Sequence, residues 1–136
     1  MSYAMSGPLQ TAIYEALTND SALGALVGTH IYDAVPVGNL PQTYVSLGRE
    51  QVRDASDQTK DGALHSIDIL VITTQPGFAG AKTIAAAISD VLQDADLTLN
   101  RGRLVYLRFQ RADAKRTDAN AGREIRMRFR ARVEDE

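Results

Sequence analysis

Four arginines at alternate positions, Arg126, Arg128, Arg130 and Arg132, are the strongest chemical signal in this 136-residue chain. Guanidinium groups take carboxylates and phosphates through charge-assisted, often bidentate hydrogen bonds. The arginines interleave with Ile125, Met127, Phe129, Ala131 and Val133. On a β-strand, period two puts the apolar set on one face and the arginines on the other. A helix would smear the charges around its whole surface. Side chains on one strand face recur about 7 Å apart, so the row repels itself unless partnered. Three partners are available: cross-strand acids such as Asp68, acidic groups on another copy, or phosphates. Nucleic-acid binding usually adds stacking aromatics and a basic balance. Here only Tyr106 and Tyr44 are expected to point outward, and the isoelectric point is about 5.7. Protein carboxylates are the favoured partners. Asp68, Arg108, Arg126, Arg128, Arg130 and Arg132 are the candidate inter-subunit or partner interface.

Other candidate chemistry is thin. His30 and His65 are isolated and fall in no metal-ligand spacing; His65 is expected to be solvated or locally hydrogen-bonded. No GxSxG nucleophile elbow occurs. The stretch Gly77-Phe78-Ala79-Gly80-Ala81-Lys82-Thr83 departs from a phosphate-binding loop, because Ala81 separates the glycine from the lysine and the first glycine is misplaced. Asp54, Asp57 and Asp61 do not match a calcium loop in spacing and lack its distal glutamate. No catalytic, metal or cofactor residue is assigned.

Bulk properties narrow the classes. The length suits one domain, residues 1–136, able to bury a core without staples. There is no cysteine, hence no disulfide, thiolate site or cysteine nucleophile. No run of about 18 apolar residues is present, and the N-terminal residues lack the basic and apolar regions of a signal peptide. The expectation is a protein kept in the cytoplasm until it assembles. The net charge of −2 hides a polarity. Residues 1–100 carry 4 Lys/Arg against 11 Asp/Glu, and residues 101–136 carry 11 against 6. Either the two sets cancel within one sheet, or two copies dock acidic surface to basic surface.

The elements that must hold the arginines follow from periodicity. Ser6-Gly7-Pro8 reads as a helix start, with Ser6 as cap. Leu9, Ala12, Ile13, Ala16 and Leu17 form a helical stripe. Asn19-Asp20-Ser21 breaks it and caps a short turn over 22–27, closed by Gly28. Ile31-Tyr32 is a short strand candidate within an irregular stretch carrying Pro36, Gly38 and Pro41. Strands are predicted over 43–53, 64–74, 103–111 and 125–133, the third with Val105, Leu107 and Phe109 inward. A helix is predicted over 81–95, with Ala81, Ile84, Ala85, Ile88, Val91 and Leu92 on one side. Two polar hairpin tips, 54–62 and 112–122, supply candidate docking residues: Asp54, Asp57, Lys60, Asp61, Asp113, Lys115, Arg116 and Asp118. Glu134-Asp135-Glu136 reads as an acidic tail. The predicted class is α+β: an antiparallel or mixed sheet of about four main strands with two amphipathic helices on one face.

The whole chain resembles a family, the tail-completion or tail-terminator proteins of long-tailed phages and phage-like gene transfer agents. The resemblance lies in Leu9-Gln10-Thr11-Ala12-Ile13-Tyr14-Glu15-Ala16-Leu17, in Leu23-Gly24-Ala25-Leu26-Val27-Gly28, and in Ile31-Tyr32-Asp33-Ala34-Val35-Pro36 followed by Pro41-Gln42-Thr43-Tyr44-Val45-Ser46-Leu47-Gly48. It continues through Ala81-Lys82-Thr83-Ile84-Ala85-Ala86-Ala87-Ile88, Leu97-Thr98-Leu99, Arg103-Leu104-Val105 and Arg126-Met127-Arg128-Phe129-Arg130. The Ile-Tyr-Asp-Ala-Val-Pro stretch with its downstream Pro-x-x-Tyr-Val is the most specific part. The resemblance implies a sheet packed by helices, no catalytic set and no cofactor. It implies a ring, usually of six copies, on the head-proximal end of the tail tube, stopping tube growth and facing the head connector. The implied partners are further copies, the tail tube protein and the connector or head-completion protein, with DNA only as passing cargo and no membrane. Related readings are another head–tail joint protein, a minor tube component, or a basic-faced nucleic-acid-binding module.

Overall fold

The computed structural model describes residues 3–117 and 122–135. Three helices and five strands follow in the order α1 (Ser6–Asn19), α2 (Ser21–Val27), β1 (Ile31–Tyr32), β2 (Thr43–Asp54), β3 (Asp61–Thr73), α3 (Ala79–Leu92), β4 (Arg103–Arg116) and β5 (Arg123–Asp135). They make an α+β fold with one sheet in the order β1-β2-β3-β5-β4. β1 lies parallel to β2, and every other pair is antiparallel. The short strand at Ile31-Tyr32 is therefore real and makes the sheet mixed.

The core forms where the apolar strand faces meet the helix stripes. Leu9, Ala12, Ile13 and Leu17 of α1, Leu23 and Val27 of α2, and Ala81, Ile84, Ala85, Ile88 and Leu92 of α3 are buried against the sheet. The sheet supplies Val45, Ile67, Ile69 and Val71, and the whole apolar set of β5, Ile125, Met127, Phe129, Ala131 and Val133. Asp20 caps α2 by accepting from the Leu23 amide, and Gly28 ends it with φ +60.

Several expectations are corrected. Ser6 is not a cap: it is already helical, Met5 precedes it, and its hydroxyl donates to both carboxylate oxygens of Glu50. His65 is not solvated. It faces the core, and its Nδ1 lies 3.1 Å from Glu50 Oε2. An ionised carboxylate only accepts, so Nδ1 carries the proton there. Burial pushes the Glu50 carboxyl up, but hydrogen bonds from Ser6, His65 and Tyr3 outweigh it and hold the group below its ordinary value. This polar knot ties the N-terminus to β2 and β3. Glu134 and Asp135 are not a tail but the end of β5. Arg103 and Lys60 hold Glu134, and Arg101 grips Asp135 through two hydrogen bonds of 3.0 and 2.7 Å.

The polar tips are corrected too. β4 runs on to Arg116, so Asp113, Lys115 and Arg116 are strand residues paired with Arg126, Glu124 and Arg123. Residues 118–121 of that predicted tip, Asp118 included, lie outside the described residues. Asp54 ends β2 and Asp61 begins β3, leaving a tip of residues 55–60. That tip is hydrogen-bonded to itself rather than loose. Asp57 Oδ1 accepts from the Thr59 and Lys60 amides at 2.8 Å each and from the Thr59 hydroxyl. Those bonds, the Thr59 amide first, keep the Asp57 carboxyl below its ordinary value. The Ser56 hydroxyl does the same for Asp54.

Candidate functional site: the outer face of the sheet

Helices cover one face of the sheet, so the other is open to a partner. β5 is the second strand from one edge, flanked by β3 and β4, and its arginines stand on this open face. Reading across the sheet, Asp113, Arg126, Leu70 and Ser46 form one row. Arg111, Arg128 and Asp68 form the next, Arg108, Arg130, Ser66 and Gln51 the third, and Tyr106, Arg132, Leu64 and Arg53 the fourth. All six residues of the predicted interface thus share one face.

Their neighbours divide them. Arg128 Nε donates to Asp68 Oδ1 at 3.0 Å, and this partnership raises the arginine above its ordinary value. Asp68 is buried although it points to the open side, because the arginine lies over it. Arg126 stands 3.7 Å from Glu124 and opposite Asp113, which Arg111 binds at 2.8 Å. Arg132 donates to the Ala55 carbonyl and fastens the tip. Arg130 has a different neighbour: directly across the ladder is Arg108. Arg108 lies over the Tyr106 ring, with Cζ 4.2 Å from the centroid. Among the described residues neither Arg108, Arg130 nor Arg53 forms an ion pair. Between Arg53 and Arg130 lies an open concavity of about 560 Å³, lined also by Gln51, Ser66, Gln110 and Arg128. Such a surface can accept anionic groups. Among the described residues no three His, Cys, Asp or Glu gather where they could hold a metal ion.

Arg53, Arg111, Gln51 and Gln110 escaped the sequence reading because three bulges reset the alternation. One extra residue between Leu47 and Glu50 flips β2, so that Glu50 and Val52 turn inward and Gln51 and Arg53 outward. Two more, between Leu104 and Tyr106 and between Phe109 and Arg111, reset β4. Val105, expected inside, is one of the bulged residues and is exposed. Leu107 is buried as expected, whereas Phe109 faces the core side but is left half uncovered.

The charge polarity survives folding. Of the acids in residues 1–100, only Asp68 forms an ion pair with the arginine row among the described residues. The other acids paired to the basic C-terminal third, Asp113, Glu124, Glu134 and Asp135, belong to that third itself.

The profile of the family described as tail completion protein gp17 matches residues 11–134. The chain belongs to this tail completion family. Its members are tail structural proteins. One solved structure is similar along its whole length: a chain of the virion of a native gene transfer agent particle. The two are 58% identical, the match covers 98% of this chain and 99% of that one, and the TM-score is 0.93. No curated protein matches the chain.

Proposed function

We propose that this tail completion protein is a structural part of a phage-like particle that closes the head-proximal end of the tail tube as a ring. The ring, of six copies on the family resemblance, stops tube growth and presents a surface to the head connector. The observation that carries this reading is the near-complete match, at 58% identity, to a chain of a gene transfer agent virion. The charge polarity supports it. In a closed ring each copy meets the next through two different patches, and unlike patches on one chain suit that geometry. The open arginines, Arg53, Arg108 and Arg130, are assigned to carboxylates of a partner protein. The expected role is assembly rather than catalysis, with further copies, the tube protein and the connector as partners and DNA passing as cargo.

Electron microscopy of particles made without the protein tests the reading. Over-long tails, with or without heads, are expected. Normal, joined tails would overturn it. Tails of normal length that lack heads would move the assignment to a neighbouring joint, a head-completion or connector role. The nucleic-acid reading rests on the three unpaired arginines alone. Binding of random duplex DNA that falls steeply with salt would favour it; no binding at low salt removes it.

A further inference from the structure

Two apolar features of this chain lie bare, and they lie on opposite edges of the sheet. The first is the segment after β1. Every residue from 33 to 40 is exposed, and it includes Val35, Val37 and Leu40, with Val37 fully so at 103%. Exposed apolar clusters on a monomer mark contact sites. Pro36 and Pro41 restrict its backbone, which lowers the ordering cost of docking. The second is a groove of about 290 Å³ between α3 and the inner side of β4 and β5. Ala85, Ala86, Phe109, Ala112, Ala114 and Met127 line it, and Phe109 is 42% exposed. α3 is too short and its facing residues too small to cover β4, so the sheet's apolar face outruns its helix layer.

We propose that residues 33–41 of one copy seat in the α3–β4 groove of the next copy. The inference rests on the ring reading above and names its contact. Charge agrees with it. The first 42 residues hold Glu15, Asp20 and Asp33 and no lysine or arginine. On the groove's own side the charges are positive: Lys82 lines it from the helix, and Arg116, in register with Arg123, closes the inner face of the bordering strand, whose Arg108 and Arg111 face the open side. The acids of α3 and of the residues after it, Asp90, Asp94 and Asp96, sit toward the helix's C-terminal end, at the other end of the helix from Lys82. Topology agrees as well. β1 and β4 are the two edges of the sheet, about 19 Å apart at four strand spacings. A segment from one edge that fills a groove at the other generates a head-to-tail contact, which repeats and closes into a ring.

The cysteine-free sequence makes the test clean. Particles carrying V37C together with A86C are treated with a short bismaleimide and run on a denaturing gel. The expected result is a ladder of multiples ending at the closed ring, with no ladder for V37C or A86C alone. A link within one copy adds no mass to the monomer band, so only a link between copies produces the ladder. Separately, V37D and A86E change exposed side chains and are expected to leave the thermal midpoint of the free protein unchanged. Each should lower the yield of joined particles by about tenfold or more. Mixing the two variants restores one intact contact per pair, so a dimer and nothing larger is expected. A ring that is present but gives no ladder, with V37D and A86E assembling normally, overturns this contact and leaves the ring standing. Tails unaffected by removal of the protein overturn the ring and the contact together.

Discussion

Phe129 and Arg130 are neighbours on β5, yet they belong to two different problems. Phe129 is fully buried, stacked edge-on to Phe109 and packed beneath the helices. Its place is set by the hydrophobic effect, which is non-directional and needs no particular partner. Arg130 points to the open face with another arginine opposite. Among the described residues no ion pair rewards that placement. The inner face of β5 is explained by folding and so are Arg126, Arg128 and Arg132 on the outer one, whereas Arg130 is left over, and the partner contact proposed above would account for it.

The largest break in this comparison comes from the inside. Phe129→Ala should destabilise the protein by about 3–5 kcal/mol, because a large fully buried ring leaves a cavity the sheet cannot collapse to fill. A urea midpoint far below that of the parent is expected. A midpoint close to the parent's would mean that the β5 core is loosely packed.

That inner face was the part legible in the sequence. Leucine, isoleucine and phenylalanine at fixed spacing carry a strong signal, and α1, α3 and β5 bury nearly the predicted stripes. The end of β4 was not legible. Arg111-Ala112-Asp113-Ala114-Lys115 does alternate, but alanine carries too little apolar weight to mark a face. The bulges were hidden for another reason: an inserted residue has no signature of its own, and it flips every side chain beyond it. Alternation carried on from Val45 and Leu47 would turn Arg53 inward, and the bulge turns it outward. Ser6 was misread, and of the two readings of His65 only the hydrogen-bonded one holds, because their partner, Glu50, lies on another element rather than nearby in sequence.

A smaller effect tests the one polar intrusion on the inner side. Glu50 titrates below its ordinary value when folded, so folding favours its charged form. A lowered carboxyl contributes stability that is complete above the unfolded value and fades as pH falls through the folded one. Its share is therefore present at neutral pH and lost in the acid range below about pH 4.3. Urea midpoints across pH 7 to 3 should show a shallower acid decline for Glu50→Gln than for the parent. Parallel declines would show that the knot of Ser6, Tyr3 and His65 adds no pH-dependent stability.

The smallest effect on stability should be the most telling about function. Arg128 and Arg130 sit two residues apart on the same face of the same strand. Arg128→Ser would leave the Asp68 carboxylate buried without its cation, and a lowered thermal midpoint is expected. Arg130→Ser removes only a like-charged contact with Arg108, so the midpoint should stay within about 0.5 kcal/mol of the parent. If the outer face is shaped by a partner, the two variants should part company in the opposite direction when tails are counted. Arg130→Ser, with Arg108→Ser beside it, should fold normally and still join heads to tails poorly. If that double variant assembles as well as the parent, the open arginines serve no partner in the joint. If it is instead markedly less stable, the arginine row belongs to folding after all, and the contrast between the two faces of β5 disappears.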